Sequence, residues 1–452
     1  MTSLYTKFIA TIIFPLQEYL KKHSSVRRRG ELEQSQWLPL SSLQQQQAEK
    51  LQRFIRSACQ HVPYYRNTLQ QLGLTAADIQ SVADLAKLPF LTKDIIRQQF
   101  DQLKADNAGP LKRFNTGGSS GQPLIFLLGN ERVSHDVAAK WRATRWWGVD
   151  IGDKEIVAWG SPIELGAQDR VRIFRDVLFR SQLIAAFDLS EQKQLAFLQR
   201  IRDNKPKMLF GYPSVYHLLA QTAQKQGIAM NDLGIKVVFV TSERLYPYQR
   251  ELIENVFGAP VANGYGGRDA GFIAHQCPAG GMHLSFEDIV VEIVDPASGA
   301  VLPAGQAGEI VVTHLATSEF PFIRYRTGDI ATLSPQPCSC GRSLPLLESI
   351  EGRSTDFVVA ADGTMMHGLA LIYILRDIKG VAAFKIVQES LLHTRVQLVW
   401  PDGALPPAVQ QQIQQGFQAR LGPQVQITFE QLDEIAPEKS GKYRYVISKV
   451  TA

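Results

Sequence analysis

Leu43, Leu51, Phe54, Ile55 and Ala58 recur at helical spacing in an otherwise Gln-rich segment, which predicts an amphipathic helix capped at Ser41-Ser42 and ended by His61-Val62-Pro63. From about residue 134 the pattern changes: segments with helical periodicity at 134–147, 190–202, 214–226 and 247–256 alternate with the short apolar runs Glu155–Trp159, Met208–Gly211 and Lys236–Thr241. That alternation predicts parallel strands joined by crossover helices. Past residue 285 the apolar runs crowd together, Ile289–Val294 and then Glu309–His314, with Gly and Pro turns between them. An antiparallel or barrel-like subdomain is expected there. Mixed strands and helices follow Gly352-Arg353, so the fold class is α/β, mainly parallel with a barrel-like part and a smaller α+β region at the end.

The length of 452 residues is about three times a typical domain of ~150. Hydrophobic residues make up 45% and charged residues 20%, which excludes disordered, collagenous and fibrous classes. Forty-eight Lys+Arg against 43 Asp+Glu leave a formal charge of +5, which demands no nucleic-acid partner and allows a modest bias toward anionic ligands. The N-terminal apolar run Phe8–Phe14 stops at Pro15, short of the ~20 residues of a membrane span. Glu18, Lys21 and Lys22 follow it, with no small-residue cleavage site, so a packing helix is expected rather than an integral membrane segment or a signal peptide. Peripheral membrane contact is the alternative. Four cysteines are too few for a disulfide scaffold and point to a reducing, cytoplasmic setting.

The sharpest motif is Asn115-Thr116-Gly117-Gly118-Ser119-Ser120-Gly121-Gln122-Pro123, followed by the apolar run Leu124–Leu128. Its glycines let backbone amides turn inward and its hydroxyls add donors, so it could wrap phosphate oxygens, or be a plain turn between strands. It is no Walker loop, since no Lys follows Gly121. It also fits G-x-S-x-G with Ser119 as nucleophile, but such an elbow needs a helix after the serine, and Leu124–Leu128 reads as a strand. A second cluster, Asn263-Gly264-Tyr265-Gly266-Gly267-Arg268-Asp269, follows Thr241-Ser242-Glu243-Arg244. Tyr265 offers a ring face for a base and Asp269 an oxygen for a hard cation such as Mg²⁺. In Tyr325-Arg326-Thr327-Gly328-Asp329 a carboxylate at a tight turn could accept two ribose hydroxyls, and in Ser440-Gly441-Lys442-Tyr443-Arg444 a lysine beside a glycine could neutralise phosphoryl charge.

In this order, the motifs resemble those of the adenylate-forming superfamily of acyl-CoA synthetases, and the chain is similar to its phenylacetate–CoA ligase branch, including capsule-biosynthesis-type members. His61-Val62-Pro63-Tyr64-Tyr65-Arg66 and Leu88-Pro89-Phe90-Leu91-Thr92-Lys93 extend the likeness over nearly the whole chain. The resemblance implies an adenylation domain over 1–352, a hinge at 353–356 and a small mobile C-terminal lid over 357–452. It implies ATP, Mg²⁺ and coenzyme A, with a small carboxylic acid as partner and a homodimer left open. Thr116, Gly117, Gly118, Ser119, Ser120 and Gly121 would grip the triphosphate. Tyr265 would stack on adenine, with Ser242, Glu243, Arg244, Asn263, Gly264 and Gly266 beside it. Asp269 would hold magnesium, Asp329 the ribose and Arg353 the ribose or α-phosphate, while Lys442, preferred over Lys439, would support adenylation. The chain departs from the family at Leu124, where Lys is usual, at Asp269, where Glu is usual, and at Thr355-Asp356, where two acids are usual.

Cys277, His283, Cys338 and Cys340 supply four soft or borderline ligands of the kind zinc takes in a closed structural site, with His275 as the alternative imidazole and Cys59 apart as a core residue. Some members of the resembling branch carry structural zinc in this region. Trp141, Trp146, Tyr212, Pro213, Ser214 and Phe239 are candidate walls for an aryl acid, or simply core rings. Three functions compete: transfer of the activated acid to coenzyme A, transfer to a sugar, polysaccharide precursor or cofactor, and an inactive nucleotide-binding scaffold.

Overall fold

The Gln-rich segment folds as the helix Leu40–His61, and Leu43, Leu51, Phe54, Ile55 and Ala58 are its buried side. Its first turn begins one residue before the expected serine cap. Pro39, with φ −51° and ψ 143°, already turns the chain into the helix, so Ser41 and Ser42 lie inside it and neither caps it. The computed structural model describes residues 3–116, 124–159, 170–185, 191–352, 357–362, 365–401, 403–435 and 446–450. Their contacts divide into two units, one ending at Gly352 and one beginning after it.

In the first unit, β1 (Lys112–Asn115) and β2 (Ile125–Leu128) form an antiparallel hairpin with Asn115 opposite Ile125. The alternating segment gives β3 (Glu155–Trp159), β4 (Ser181–Ala185), β5 (Met208–Gly211), β6 (Val237–Thr241) and β7 (Val261–Gly267). They lie in the order β4-β3-β5-β6-β7, all parallel. Every residue of β5 and β6 is buried, as a parallel strand covered on both faces requires. Helices Glu191–Asn204, Pro213–Lys225 and Pro247–Phe257 supply crossovers and pack their apolar sides into this half of the core.

The switch to antiparallel pairing comes earlier than residue 285. Only Arg268-Asp269-Ala270 separates β7 from β8 (Gly271–Gln276), and three residues can close a hairpin but not a crossover. β9 (Met282–Leu284), β10 (Ile289–Val294), β11 (Ala307–His314), β12 (Tyr325–Leu333) and β13 (Leu346–Gly352) extend the same sheet in the order β7-β8-β9-β13-β12-β11-β10. β12 is thus four strands from β7, about 19 Å away if the sheet were flat. Side chains of the two nevertheless meet at hydrogen-bonding distance, with Tyr265 Oη 2.8 Å from Asp329 Oδ2. This half therefore curls toward closure, as the barrel-like expectation has it.

Both N-terminal motifs hold the entry to β12. Tyr65 donates its hydroxyl to the Pro321 carbonyl at 3.2 Å and accepts from the Ile323 amide at 3.3 Å. Leu91 bridges to Tyr325, its amide donating to the Arg324 carbonyl and its carbonyl accepting from the Arg326 amide. Arg324 itself is buried, in a left-handed conformation (φ 51°), over the Phe90 ring. Its guanidinium forks onto both oxygens of buried Glu292 at 2.9 and 3.1 Å and reaches the Leu88 carbonyl at 2.8 Å.

The second unit carries the hairpin β14 (Phe357–Val359) and β15 (Met365–His367) and the sheet β18-β17-β16-β19, from β16 (Ala383–Ser390), β17 (His393–Val399), β18 (Gln426–Gln431) and β19 (Val446–Ser448). Helix Pro407–Leu421 connects the parallel pair β17 and β18, and Ile413, Phe417 and Leu421 fill a core of their own with Ile386, Val396 and Leu398. No helix among the described residues is long and apolar enough to cross a membrane.

Burial pushes the Glu292 carboxyl above its ordinary value even though Arg324 pulls it down, so desolvation is only partly offset. Arg324→Met, which strands that carboxyl, is expected to cost ~3–5 kcal/mol of unfolding free energy in denaturant titration, far more than loss of an exposed ion pair.

Candidate functional site

β7 and β12 exchange a reciprocal pair of contacts. Tyr265, on β7, donates its hydroxyl to Asp329 on β12 at 2.8 Å, and Tyr325, at the start of β12, donates to Asp269 in the turn after β7 at 2.6 Å. Each phenol therefore fixes the other strand's carboxylate. The Asp329 backbone is set by its neighbours: Gly328 adopts φ 82°, its amide donates to Glu309 Oε1 at 3.1 Å, and the Asp329 amide donates to Thr327 Oγ1 at 3.1 Å. Asp269 Oδ1 accepts from the Ala270 amide at 3.0 Å. Each oxygen of the Asp269 carboxylate accepts one of these bonds and has a second lone pair, so this acid keeps acceptor capacity for a ligand. A single carboxylate suits Mg²⁺, which takes one or two protein acids and completes its shell with phosphates and water.

Behind Asp269 stands Arg132, fully buried on helix Asn130–Trp146. It bonds both oxygens of Asp136 at 3.0 Å and, through its other nitrogens, the carbonyls of Asp269 (3.2 Å) and Arg268 (3.3 Å). Arg268 in turn reaches the Asn115 carbonyl at 3.5 Å, tying the turn to the end of β1. Thr116 and Leu124 clasp the ends of the Ser/Thr/Gly stretch: Thr116 N donates to the Leu124 carbonyl and Leu124 N to Thr116 Oγ1, both at 3.0 Å. That stretch joins two antiparallel strands, which is the wrong context for a nucleophile elbow at Ser119. Gly117, Gly118, Ser119, Ser120, Gly121, Arg353 and Lys442 lie outside the described residues.

Ser242, at the C-terminal end of β6, has φ 71°, a conformation a serine holds only when its surroundings impose it. Glu243 accepts from the Ser214 amide at 3.2 Å, at the start of helix Pro213–Lys225, and burial raises its carboxyl above the usual value. Arg244 packs over the Tyr246 ring. On β7 the Asn263 amide donates to Gln276, Gly264 is buried over Phe239, and Gly266 passes so close to β8 that a Cβ there would stand 2.1 Å from the Gly271 carbonyl.

The candidate acid-pocket residues separate. Tyr212 stacks on Trp159 at 4.7 Å with 17° between planes, at the C-terminal ends of neighbouring strands, the edge at which parallel sheets take ligands. The sequence expectation named Trp159 as the end of a strand and not as a pocket wall. Pro213 and Ser214 start the helix that follows Tyr212. Phe239 is buried between Phe210 and His275 in the core. Trp141 is not with this group: it is buried against Phe14 and bonded to Asp150. Trp146 faces His283 instead.

Cys277, His283, Cys338 and Cys340 converge, all four ligand atoms within 4.8 Å of one another. Cys277 and Cys338 are 3.6 Å apart at sulfur, and Cys340 Sγ is 3.2 Å from His283 Nε2. His283 Nδ1 faces the Leu344 carbonyl at 3.3 Å, which orients Nε2 toward the sulfurs. Burial pushes Cys277 up to about 12 and His283 down to about 4; the neutral imidazole is the metal-binding form, and a cation would reverse the burden on the thiols. The donor set fits zinc. His275, the rival imidazole, stacks on Phe272, with burial and then Arg142 holding it down to about 3. All four cysteines are free of disulfides, and Cys59 packs on the main core.

The family described as AMP-binding enzyme matches residues 116–318, and the CapK C-terminal domain matches 358–449. Protein CapK of Staphylococcus aureus is 24% identical, with 97% of this chain and 95% of that one covered. Phenylacetate-coenzyme A ligases of Pseudomonas putida and Thermus thermophilus are 27% and 24% identical. Those matches cover 73% and 71% of this chain and 75% and 73% of the relatives. Among solved structures, a 2-hydroxyisobutyryl-CoA ligase in its thioesterification state shares the fold, with TM-score 0.66, 23% identity and 91% of each chain covered.

Gly271 (φ 89°) lies where a Cβ would meet His314 Nε2 at 2.8 Å and Arg132 Nη2 at 2.9 Å. Gly271→Ala is expected to cost ~1–3 kcal/mol in thermal unfolding, through strain and displacement of the arginine that holds the Asp269 turn.

Proposed function

We propose, for a chain that belongs to the adenylate-forming superfamily and within it to the branch of phenylacetate–CoA ligases and CapK, that it activates a carboxylic acid with ATP and passes the acyl group to coenzyme A. The observation that carries this reading is the reciprocal phenol–carboxylate pair. It gathers a ring for adenine, Tyr265, an acceptor for the ribose hydroxyls, Asp329, and an anion for magnesium, Asp269, on two strands that face each other.

In this reading Thr116 and the Gly117–Gly121 stretch hold the triphosphate, while Ser242, Glu243, Arg244, Asn263, Gly264 and Gly266 border the base. Arg353 contacts the ribose or α-phosphate. The carboxylate of the substrate attacks the α-phosphorus and pyrophosphate leaves, with Lys442 offsetting the charge that builds between them. Asp269 would hold Mg²⁺, whose charge, when bound, neutralises the phosphates. Residues 357–452 act as a lid that turns about 353–356 between the two half-reactions. The Trp159–Tyr212 stack favours an aryl acid. Cys277, His283, Cys338 and Cys340 hold a structural zinc, and four disulfide-free cysteines suit a cytoplasmic setting.

A second acceptor has its own support. CapK matches along nearly the full chain and the CapK C-terminal domain covers 358–449, whereas the phenylacetate–CoA ligase matches span about three quarters. Transfer of the acyl group to a sugar, polysaccharide precursor or cofactor would keep the first half-reaction and change only the second.

Acid-dependent ATP–pyrophosphate exchange over aryl, fatty and amino acids tests the first step, and mass detection of a thioester with coenzyme A tests the second. Exchange with thioester is the expected result; exchange without it selects the other acceptor, and no exchange with any acid refutes activation. Lys442→Ala should lower exchange by about 10²–10³-fold. Metal analysis of the purified protein should find about one zinc per chain, lost in Cys338→Ser together with several degrees of melting temperature; a metal-free wild type of equal stability would refute the zinc.

A further inference from the structure

We propose that the outer face of the N-terminal helix is a docking surface for an anionic lipid bilayer, on which the protein lies without crossing it. The helical run Leu4–Leu20 is α-helical at both ends with a π turn, Ile9–Ile13, between them. Its inner side is anchored. Thr6 Oγ1 donates to Asp153 at 2.7 Å, Ile9 lies against Gly152, and Phe14 packs on Trp141 and Phe179. Its outer side is apolar: Leu4 (87% exposed), Phe8, Ile12, Leu16 and Leu20 (72%) follow one another at four-residue steps.

In an uninterrupted α-helix such a row would wind by about 40° per step and spiral off one face. The wider π turn takes up part of that drift, so the buried and exposed rows stay opposite each other. The C-terminal end of helix Arg170–Leu178 meets this run, where Tyr5 Oη donates to the Leu178 carbonyl at 2.8 Å, and that helix adds Phe174 (70% exposed) and Val177 (71%). A contiguous exposed apolar surface of this kind is uncommon on a protein that meets only water.

Charge selects the occupant. Lys7, Lys21 and Lys22 are exposed around the row, and the one acid among residues 3–22, Glu18, is buried and bonded to Ser25 and His23. Burial depresses Lys21, Glu18 pulls it up, and the nearby cations Arg175 and Lys112 depress it further, so several positive charges share this edge. A two-fold contact with a second copy would bring Lys7 and Lys22 of the two copies together, while the acids at this edge, Glu18 and Asp176, are already paired with Lys21 at 3.7 Å and with Arg175. An anionic headgroup layer offsets them while the acyl chains cover Phe8, Ile12 and Leu16, the arrangement of interfacial amphipathic helices.

Sedimentation of the full chain with phosphatidylcholine vesicles, with and without phosphatidylglycerol, tests this. The wild type should bind only the vesicles containing phosphatidylglycerol, and less as salt rises. Phe8→Ser with Leu16→Ser, and separately Lys7→Glu with Lys22→Glu, should each weaken binding about tenfold or more with melting temperature unchanged. No binding to anionic vesicles, equal binding to both kinds, undiminished binding by either double variant, or a solution dimer dissolved by Phe8→Ser with Leu16→Ser would overturn the proposal. None of these readouts depends on ATP chemistry, so the outcome is independent of the proposed activity.

Discussion

The crossed bonds between β7 and β12 are the constraint on which the site depends. Two strands four places apart in one sheet meet through Tyr265–Asp329 and Tyr325–Asp269, and they can do so only if the antiparallel half curls. Curling in turn requires that the start of β12 be fixed, which is the work of Tyr65, Leu91 and the Arg324–Glu292 pair. From the other side Arg132 grips the carbonyls of the Asp269 turn. The two acids thus hang from a frame made by four separate stretches of chain, and their spacing follows from that frame rather than from either loop alone.

Much of this was legible in the sequence. Glu155–Trp159, Met208–Gly211 and Ile289–Val294 appear as strands with the boundaries their apolar runs suggest, because a strand wholly or largely buried, as Met208–Gly211 and Ile289–Val294 are, leaves a nearly unbroken signal and the alternately buried Glu155–Trp159 leaves a short apolar run. Tyr265, Asp269 and Asp329 stood out because glycines flank them. The point where parallel pairing gives way to antiparallel was misplaced, since it rests on the length of one turn, Arg268-Asp269-Ala270. The cap at Ser41-Ser42 failed because Pro39 had already set the backbone.

What periodicity could not supply was the identity of distant partners. Tyr325 lies 56 residues from the acid it fixes, and Arg132 lies 137 from the carbonyl it holds. Tryptophans on one helix illustrate the same limit: Trp141 and Trp146 share helix Asn130–Trp146, yet one is buried on the N-terminal helix and the other faces the cysteine cluster. Helical spacing says which side a ring is on and nothing about what waits there. The cysteine cluster was easier, because few residue types can serve as ligands and Cys338 and Cys340 are close in sequence.

The Arg324–Leu88 contact closes a loop of 236 residues. A chain emerging from the ribosome at ~5–20 residues per second would wait on the order of ten seconds or more between making Leu88 and making the arginine that holds it. For most of that interval, until the strands between residues 271 and 314 are made, the apolar sides of the Leu40–His61 helix and its neighbours have no strand of the antiparallel half to cover them. The parallel half, whose helices and strands are contiguous in sequence, can consolidate meanwhile. Its earliest-made residues are therefore among the last to be secured, and nascent chains stalled before residue 324 would be natural clients for chaperones that bind exposed apolar helix faces.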